Sequence, residues 1–147
     1  MIDELEKKVV RALNVNARKS FREVARDVGS SVTAVIHKVR RLEESGAIKG
    51  YIPVLDPALF GFDLIAIIAV RISTGKLLET QKKIAEESCL AGVYDVTGEW
   101  DSLLIGHFRD RTELNDFIKR LLSLPHVDRS VTHIVLNTVK EERRLPV

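Results

Sequence analysis

The sequence predicts an α+β protein in two parts, an N-terminal helix-turn-helix and a C-terminal ferredoxin-like β-α-β-β-α-β domain. Apolar residues recur at helical spacing in three segments of the first 47 residues. Strand-like and helix-like apolar patterns then follow in the order of a split βαβ unit. A chain of 147 residues suffices for two small domains. We expect a helical domain at 1–47, a strand linker at 48–61 and the sheet domain at 62–147.

Two capping boxes mark the starts of the first two helices. Asp3 is followed three residues later by Glu6, and Ser20 is followed likewise by Glu23. In such a pair each side chain can accept a hydrogen bond from the other residue's backbone N–H, which satisfies two donors at the helix start. Gly29 is expected to end the second helix, since glycine adopts the left-handed conformation without strain.

The third helix is expected to begin after Ser31 and to run to about Ser45. At 100° per residue its apolar side chains fall within an arc of about 120°. They are Val32, Val35, Ile36, Val39 and Leu42. The rest of its surface is small, polar or basic, as in the second helix of a helix-turn-helix that enters a major groove of DNA.

Eight residues of this region are assigned a role at the DNA. Ser31, Thr33, Ala34 and His37 are assigned to base edges. Lys38 and Arg41 are assigned to the DNA backbone or to guanine, and Arg18 and Lys19 complete the candidate DNA contacts. The expected partner is therefore double-stranded DNA.

The charge distribution supports a nucleic-acid partner better than the net charge does. The whole chain has a formal charge of +2. Residues 18–41 contain seven basic and two acidic side chains, a net of +5, so the remainder sums to −3. A basic segment on a nearly neutral protein attracts phosphate. The alternative is a three-helix packing module with a solvated basic exterior.

The remaining ninety residues alternate between strand and helix patterns. A linking strand is expected at Ile48 to Leu55, before the turn Asp56-Pro57. The domain itself is expected to contain strands in Phe62–Ser73, Val93–Thr97, Ser102–Phe108 and Val127–Val139, with helices in Lys76–Glu87 and from Asp110 to Leu122.

Both faces of the first strand of the sheet domain are apolar at the centre. One face carries Ile68 and its neighbours two residues away, and the other carries Ile65, Ile67 and Ala69. In the split βαβ arrangement both helices cover one face of the sheet, so the second apolar face needs another cover. We expect a homodimer held mainly through residues 62–140, which would pair two helix-turn-helix units about a two-fold axis.

Composition excludes several classes of protein and site. About 45% apolar and 30% charged residues excludes wholesale disorder. The single Cys89 and four scattered histidines have no metal-ligand spacing, so we expect no metal and no cofactor. The start of the chain has no apolar signal segment, and no apolar run is long enough to span a membrane. A reducing, cytoplasmic location is expected.

At this level of detail the chain resembles the Lrp/AsnC (feast/famine) family of transcriptional regulators. The resemblance rests on short motifs in order along the chain. They are Ile2-Asp3-x-Leu5, Arg18-x-Ser20, residues 41–48 running into Gly50-Tyr51, Val96-Thr97-Gly98-Glu99-x-Asp101 before Leu103-Leu104, Leu124-Pro125-x-Val127, and Thr132-x-x-Val135-Leu136 with Lys140. The sequence departs from the family at Ser30-Ser31-Val32, which lacks the usual proline, and at Lys38, where arginine is commoner.

The resemblance implies a winged-type helix-turn-helix, a strand linker and an amino-acid-sensing (RAM-type) domain. It also implies dimers that assemble into tetramers, octamers or larger rings, with a small-molecule effector, commonly an amino acid, bound between dimers near the Gly-x-x-Asp turn. The implied effector residues here are Gly98 and Asp101, with Tyr94, Thr97, Thr132 and His133 as neighbours. The alternative is an ordinary hairpin in which Gly98 and Asp101 only form the turn.

The sequence therefore favours a sequence-specific transcriptional regulator without catalytic activity, and two alternatives stay open. One is an architectural protein that bends DNA with little sequence preference, which the ratio of affinities for selected and random DNA would reveal. The other is an enzyme similar to the sirohaem decarboxylases, which would shift the absorption of added sirohaem.

Overall fold

The computed structural model describes residues 1–147, which form two compact units. The first, here called the helical unit, comprises Met1–Val54 with Glu141–Val147, and the second, the sheet unit, is Leu55–Lys140. Their helices and strands are α1 (Glu4–Val15), α2 (Phe21–Val28), α3 (Val32–Glu44), a short 3-10 helix (Ala58–Phe60), β1 (Leu64–Ile72), α4 (Leu77–Ile84), β2 (Leu90–Asp95), β3 (Ser102–Phe108), α5 (Arg111–Ser123) and β4 (Val127–Ile134). None of these helices has the length and hydropathy needed to cross a bilayer.

Both predicted capping boxes are confirmed. At α1 the Asp3 carboxylate accepts from the Glu6 N–H at 2.9 Å, and the Glu6 carboxylate accepts from the Asp3 N–H at 2.8 Å. At α2 the Glu23 N–H donates to Ser20 Oγ at 3.3 Å, and the Ser20 N–H donates to Glu23 at 2.7 Å. Each box satisfies donors that the helix itself cannot.

The three helices of the helical unit pack around a small core of valines. Val9 of α1, Val24 of α2, and Val35 and Val39 of α3 are all at most 2% exposed. Gly29 ends α2 with φ of +67°, as predicted, and allows the short turn into α3. The apolar face of α3 is therefore committed to the core, and its other face points outward.

The prediction of a strand over Ile48 to Leu55 is wrong. Residues 45–54 form neither helix nor strand, since the four-stranded sheet consists of β1 to β4 alone and no segment of the chain pairs with this one. For the same reason no β-hairpin wing follows α3 within the chain. The Asp56-Pro57 turn does occur, and it leads into the 3-10 helix.

The last seven residues belong to the helical unit and not to the sheet domain, for which the sequence predicts 62–147. Arg11 Nε donates to the carbonyl oxygen of Val147 at 2.6 Å, and Asn14 Nδ2 donates to that of Leu145 at 3.3 Å. Both donors lie on α1. The division between the units at Val54 and Leu55 falls inside the predicted linker.

The sheet unit has the predicted β-α-β-β-α-β order, with strands arranged β2-β3-β1-β4 and every neighbouring pair antiparallel. On the covered face, Ile68 of β1 and Phe108 of β3 pack against Ile84 of α4 and Phe117 of α5. Both helices therefore lie on the same side of the sheet, as expected.

The opposite face of the sheet, here called the open face, is apolar at its centre. Ile67 of β1 lies across from Ile105 of β3 on one side and from His133 of β4 on the other. Ile67 and Val131 are 37% and 40% exposed, although both are large and apolar. The open face is thus apolar over its central strands and carries no helix.

Candidate functional site

The exposed surface of α3 is positioned by a cap at its start and by its buried face. Ser31 Oγ accepts a hydrogen bond from the Ala34 N–H at 3.1 Å, so the helix begins immediately after the turn. With Val35 and Val39 buried, Thr33 and His37 are exposed. Ala34 is half-buried, and its small side chain leaves room beside them.

Three of the four predicted DNA-contacting cations are engaged with carboxylates of the same unit. Lys19 Nζ lies 2.6 Å from an Asp27 oxygen. Lys38 pairs with Asp3, and Arg41 Nε lies 3.2 Å from Glu6 Oε1. Arg18 forms no ion pair. A basic side chain outside the core is therefore not always free to reach DNA.

Three arginines that the sequence assignment left out are also free cations of the basic segment. Arg22 and Arg26 on α2 and Arg40 on α3 are exposed and form no ion pair within the chain. Arg40 lies seven residues after Thr33, so two helical turns place both side chains on one stripe with His37. This spacing was a signal that the sequence reasoning missed.

The turn at 98–101 is fastened to the end of β1 by Asp101. Its Oδ2 atom accepts from the Ile72 N–H at 2.8 Å, and its own N–H donates to the Val70 carbonyl at 3.0 Å. Gly98 has φ of +111°, a conformation that disfavours any side chain. Asp101 Oδ1 accepts no hydrogen bond within the chain. Asp101 can therefore form the turn through one oxygen and contact a ligand through the other.

One residue that the sequence reasoning did not single out, Arg129, braces the same turn. The Arg129 guanidinium of β4 lies 4.7 Å from the centre of the Trp100 ring and 2.8 Å from a Glu99 oxygen. A cation over an indole face combines electrostatic attraction with packing. This turn is consequently held by contacts from β1 and from β4.

The six predicted effector residues do not converge within one chain. Thr97 and Gly98 are exposed beside Asp101. Tyr94 lies across from Leu103 and shares the open face with His133, but they occupy the two edge strands. Three strand spacings put these edges about 14 Å apart. Thr132 pairs with Ile68 and so belongs to the covered face.

The family models match both parts of the chain. The AsnC-type helix-turn-helix domain matches residues 2–43, and the Lrp/AsnC ligand binding domain matches residues 65–145. This chain belongs to the Lrp/AsnC family of transcriptional regulators. The family resemblance drawn from the sequence motifs is thereby confirmed.

Relatives of this Lrp/AsnC protein match along nearly the whole chain. An HTH-type transcriptional regulator of Pyrococcus abyssi is 39% identical and covers 99% of each chain. Another, from Methanocaldococcus jannaschii, is 35% identical and covers 100% of each.

Solved structures of Lrp/AsnC proteins share the fold. A transcriptional regulator of Neisseria meningitidis in complex with L-methionine gives a TM-score of 0.91 at 26% identity, covering 99% of this chain and 97% of that one. The feast or famine regulatory protein of Mycobacterium tuberculosis complexed with L-methionine gives 0.86 at 28% identity, covering 99% of each. The α+β architecture of this family member is therefore confirmed.

Proposed function

We propose that this Lrp/AsnC protein reads double-stranded DNA with α3, as a dimer whose DNA binding responds to a small molecule such as an amino acid. The observation that carries the DNA-reading role is the exposed stripe of α3, with the free Arg40 beside small and polar side chains. A helix is about 10–12 Å across and the major groove is about 12 Å wide, so α3 fits it.

Within α3 the proposal assigns base reading to the N-terminal half. Ser31, Thr33, Ala34 and His37 lie within the first seven residues from the cap onward, which is the part of a recognition helix that reaches base edges. His37 is the longest polar side chain among them and can donate or accept through its ring nitrogens. It is therefore the residue expected to discriminate most between bases.

The experiment is selection of bound sequences from random DNA in vitro, repeated with each of the twenty amino acids. A specific regulator gives a consensus and binds selected DNA about 10³-fold or more tighter than random DNA at fixed salt. A ratio near one would favour the architectural alternative. An amino acid that alters the affinity or the consensus would identify the effector.

Replacing His37 by alanine is expected to change base preference more than overall affinity. The expected loss is about 1–3 kcal/mol of discrimination at one base pair, since one base contact is removed. Binding to random DNA should stay within about twofold. The measurement is the same selection followed by competition titrations, and an equal loss on every sequence would contradict the base-reading role.

The effector part of the proposal is supported by the 98–101 turn and by two solved structures of family members. Structures of two family members contain L-methionine. In this chain Thr97 and Gly98 expose backbone beside Asp101, whose free Oδ1 could accept from an α-ammonium group. Because Tyr94 and His133 lie on distant strands, we propose that they meet an effector only where separate copies come together.

The dimer is proposed to form through the open face of the sheet. Covering Ile67, Ile105 and Val131 with the same face of a second copy removes apolar surface from water without a further partner. In analytical ultracentrifugation at micromolar concentration, we expect the protein to sediment with the mass of a dimer or of a larger assembly such as a tetramer or octamer. Ile67→Glu should give monomers, whereas Leu78→Glu on the exposed side of α4 should not. A wild-type monomer would rule this dimer out.

A further inference from the structure

The Glu6 side chain is a buried carboxylate at the start of α1. It is 0% exposed, and one oxygen, Oε2, accepts from the Asp3 N–H in the capping box. The other oxygen, Oε1, accepts no hydrogen bond of good geometry. It lies 3.2 Å from Arg41 Nε and 3.8 Å from Lys38 Nζ. A buried carboxylate without compensating cations is costly, so these two contacts are needed.

Asp3, the capping residue of α1, also connects α1 to α3. Its Oδ1 atom accepts from the Glu6 N–H, while its Oδ2 atom accepts from Lys38 Nζ. The hydrogen bond from Lys38 lowers the pKa of the Asp3 carboxyl below its usual value, so the carboxylate is ionised at neutral pH. Arg41 also donates to the Met1 carbonyl at 3.2 Å. We call Asp3, Glu6, Lys38 and Arg41 the acid–base clamp.

The clamp joins residues that are 35 positions apart, at one end of α1 and along α3. The valine core between these helices consists of short side chains, which pack with little directional preference. The clamp adds contacts that fix where α3 lies along and about its own axis. A recognition helix needs that precision because a base contact is lost when the helix shifts by much less than the length of a side chain.

Two of the free arginines lie on the other flank of α3 and at the start of α2. With Thr33 set at zero and 100° per residue, His37 lies at about 40° and Arg40 at about −20°, whereas Lys38 lies at about 140°. Lys38 therefore faces α1, and Arg40 faces away from it beside the base-reading residues. Arg22 lies in the first turn of α2, the helix that crosses the DNA backbone in helix-turn-helix docking.

We infer that Asp3 and Glu6 are positioning residues, which hold α3 in register through Lys38 and Arg41, and that Arg22 and Arg40 make the phosphate contacts instead. The inference rests on the proposed DNA reading by α3 and deepens it. These four cations then divide in two: Lys38 and Arg41 fix the helix, and Arg22 and Arg40 hold the DNA. Only the second group contributes to the salt dependence of binding.

The first test compares salt slopes, that is, the change of log affinity with log salt concentration on selected DNA. Arg40→Ala is expected to flatten the slope by about 0.9, the amount for one phosphate contact. Arg41→Ala alone would leave the buried Glu6 with only Lys38, 3.8 Å away, and could fail to fold. The double variant Glu6→Gln/Arg41→Met removes both charges together, and its slope is expected to equal that of the wild type.

Arg111→Ala in the sheet unit is the matched control, since Arg111 is exposed and forms no ion pair. Its salt slope should not change. If the double variant flattens the slope as much as Arg40→Ala does, Arg41 contacts phosphate and the inference is overturned while DNA reading stands. If the wild type shows no salt-dependent binding to any DNA, the proposed function itself fails.

The second test uses Glu6→Gln, which keeps the capping box because glutamine also suits that position. Arg41 loses its carboxylate and becomes free to reach DNA, so the slope on random DNA is expected to steepen by up to about 0.9. The ratio of affinities for selected and random DNA is expected to fall about fivefold or more as α3 loses its register. Destabilisation alone would not steepen the slope.

Glu23→Gln is the control for this second test. It makes the same change at the same capping position of α2, where the carboxylate bonds Ser20 and pairs with no cation. The selected-to-random ratio should stay within about twofold of the wild type. A Glu6→Gln protein that matches Glu23→Gln in both slope and ratio would overturn the positioning role.

Discussion

Replacing Phe117 by alanine is expected to lower the free energy of unfolding of the sheet unit by about 3–5 kcal/mol. Phe117 is 1% exposed, and its ring centre lies 5.5 Å from that of Phe108 in a tilted pair. The substitution leaves a cavity between α5 and the sheet and removes the aromatic contact. It also removes the surface on which the Arg120 guanidinium lies, 5.9 Å from the ring centre.

Urea unfolding followed by tryptophan fluorescence measures this loss. Trp100 is the only tryptophan of the chain and lies in the 98–101 turn of the sheet unit. Leu122→Ala on the same helix is the control, since Leu122 is 47% exposed and should cost well below about 1 kcal/mol. Equal shifts for both variants would mean that Phe117 does not anchor α5 on the sheet.

Local signals explain why much of the fold could be predicted. A capping box such as Asp3 with Glu6 involves four consecutive residues, and the alternation in β1 shows which side chains share a face. Such patterns depend on the backbone of one element. The order of the elements then restricts the topology to very few choices.

The parts that could not be predicted depend on pairs distant in sequence. Nothing near Lys38 in the sequence indicates that its ammonium meets Asp3, because the contact exists only after α1 and α3 have packed. Likewise Tyr94 and His133 suit an effector by residue type, yet their strands lie at opposite edges of the sheet. The segment 48–55 has a strand-like composition but no pairing strand in its own chain.

Replacing Val35 by aspartate is expected to abolish DNA binding by unfolding the helical unit. Val35 is 0% exposed at the centre of the valine core, and an unpaired carboxylate there costs several kcal/mol. A unit of this size buries a modest share of its surface and has little stability in reserve. We expect the affinity for selected DNA to fall about 100-fold or more. The helical circular dichroism signal should decrease with it.

Val15→Asp makes the same substitution at the end of α1, where Val15 is 74% exposed. It should leave folding unchanged and DNA binding within about threefold of the wild type.

The urea transition of Trp100 should persist in Val35→Asp, because the core around Ile68 and Phe117 shares no residue with the valine core. The combination of lost helicity, lost DNA binding and a retained Trp100 transition separates this variant from Arg40→Ala, which loses phosphate contact while its circular dichroism stays unchanged. If Val35→Asp kept full helicity and still lost DNA binding, Val35 would belong to the DNA-contacting surface and the division of α3 into a buried and a reading face would be wrong.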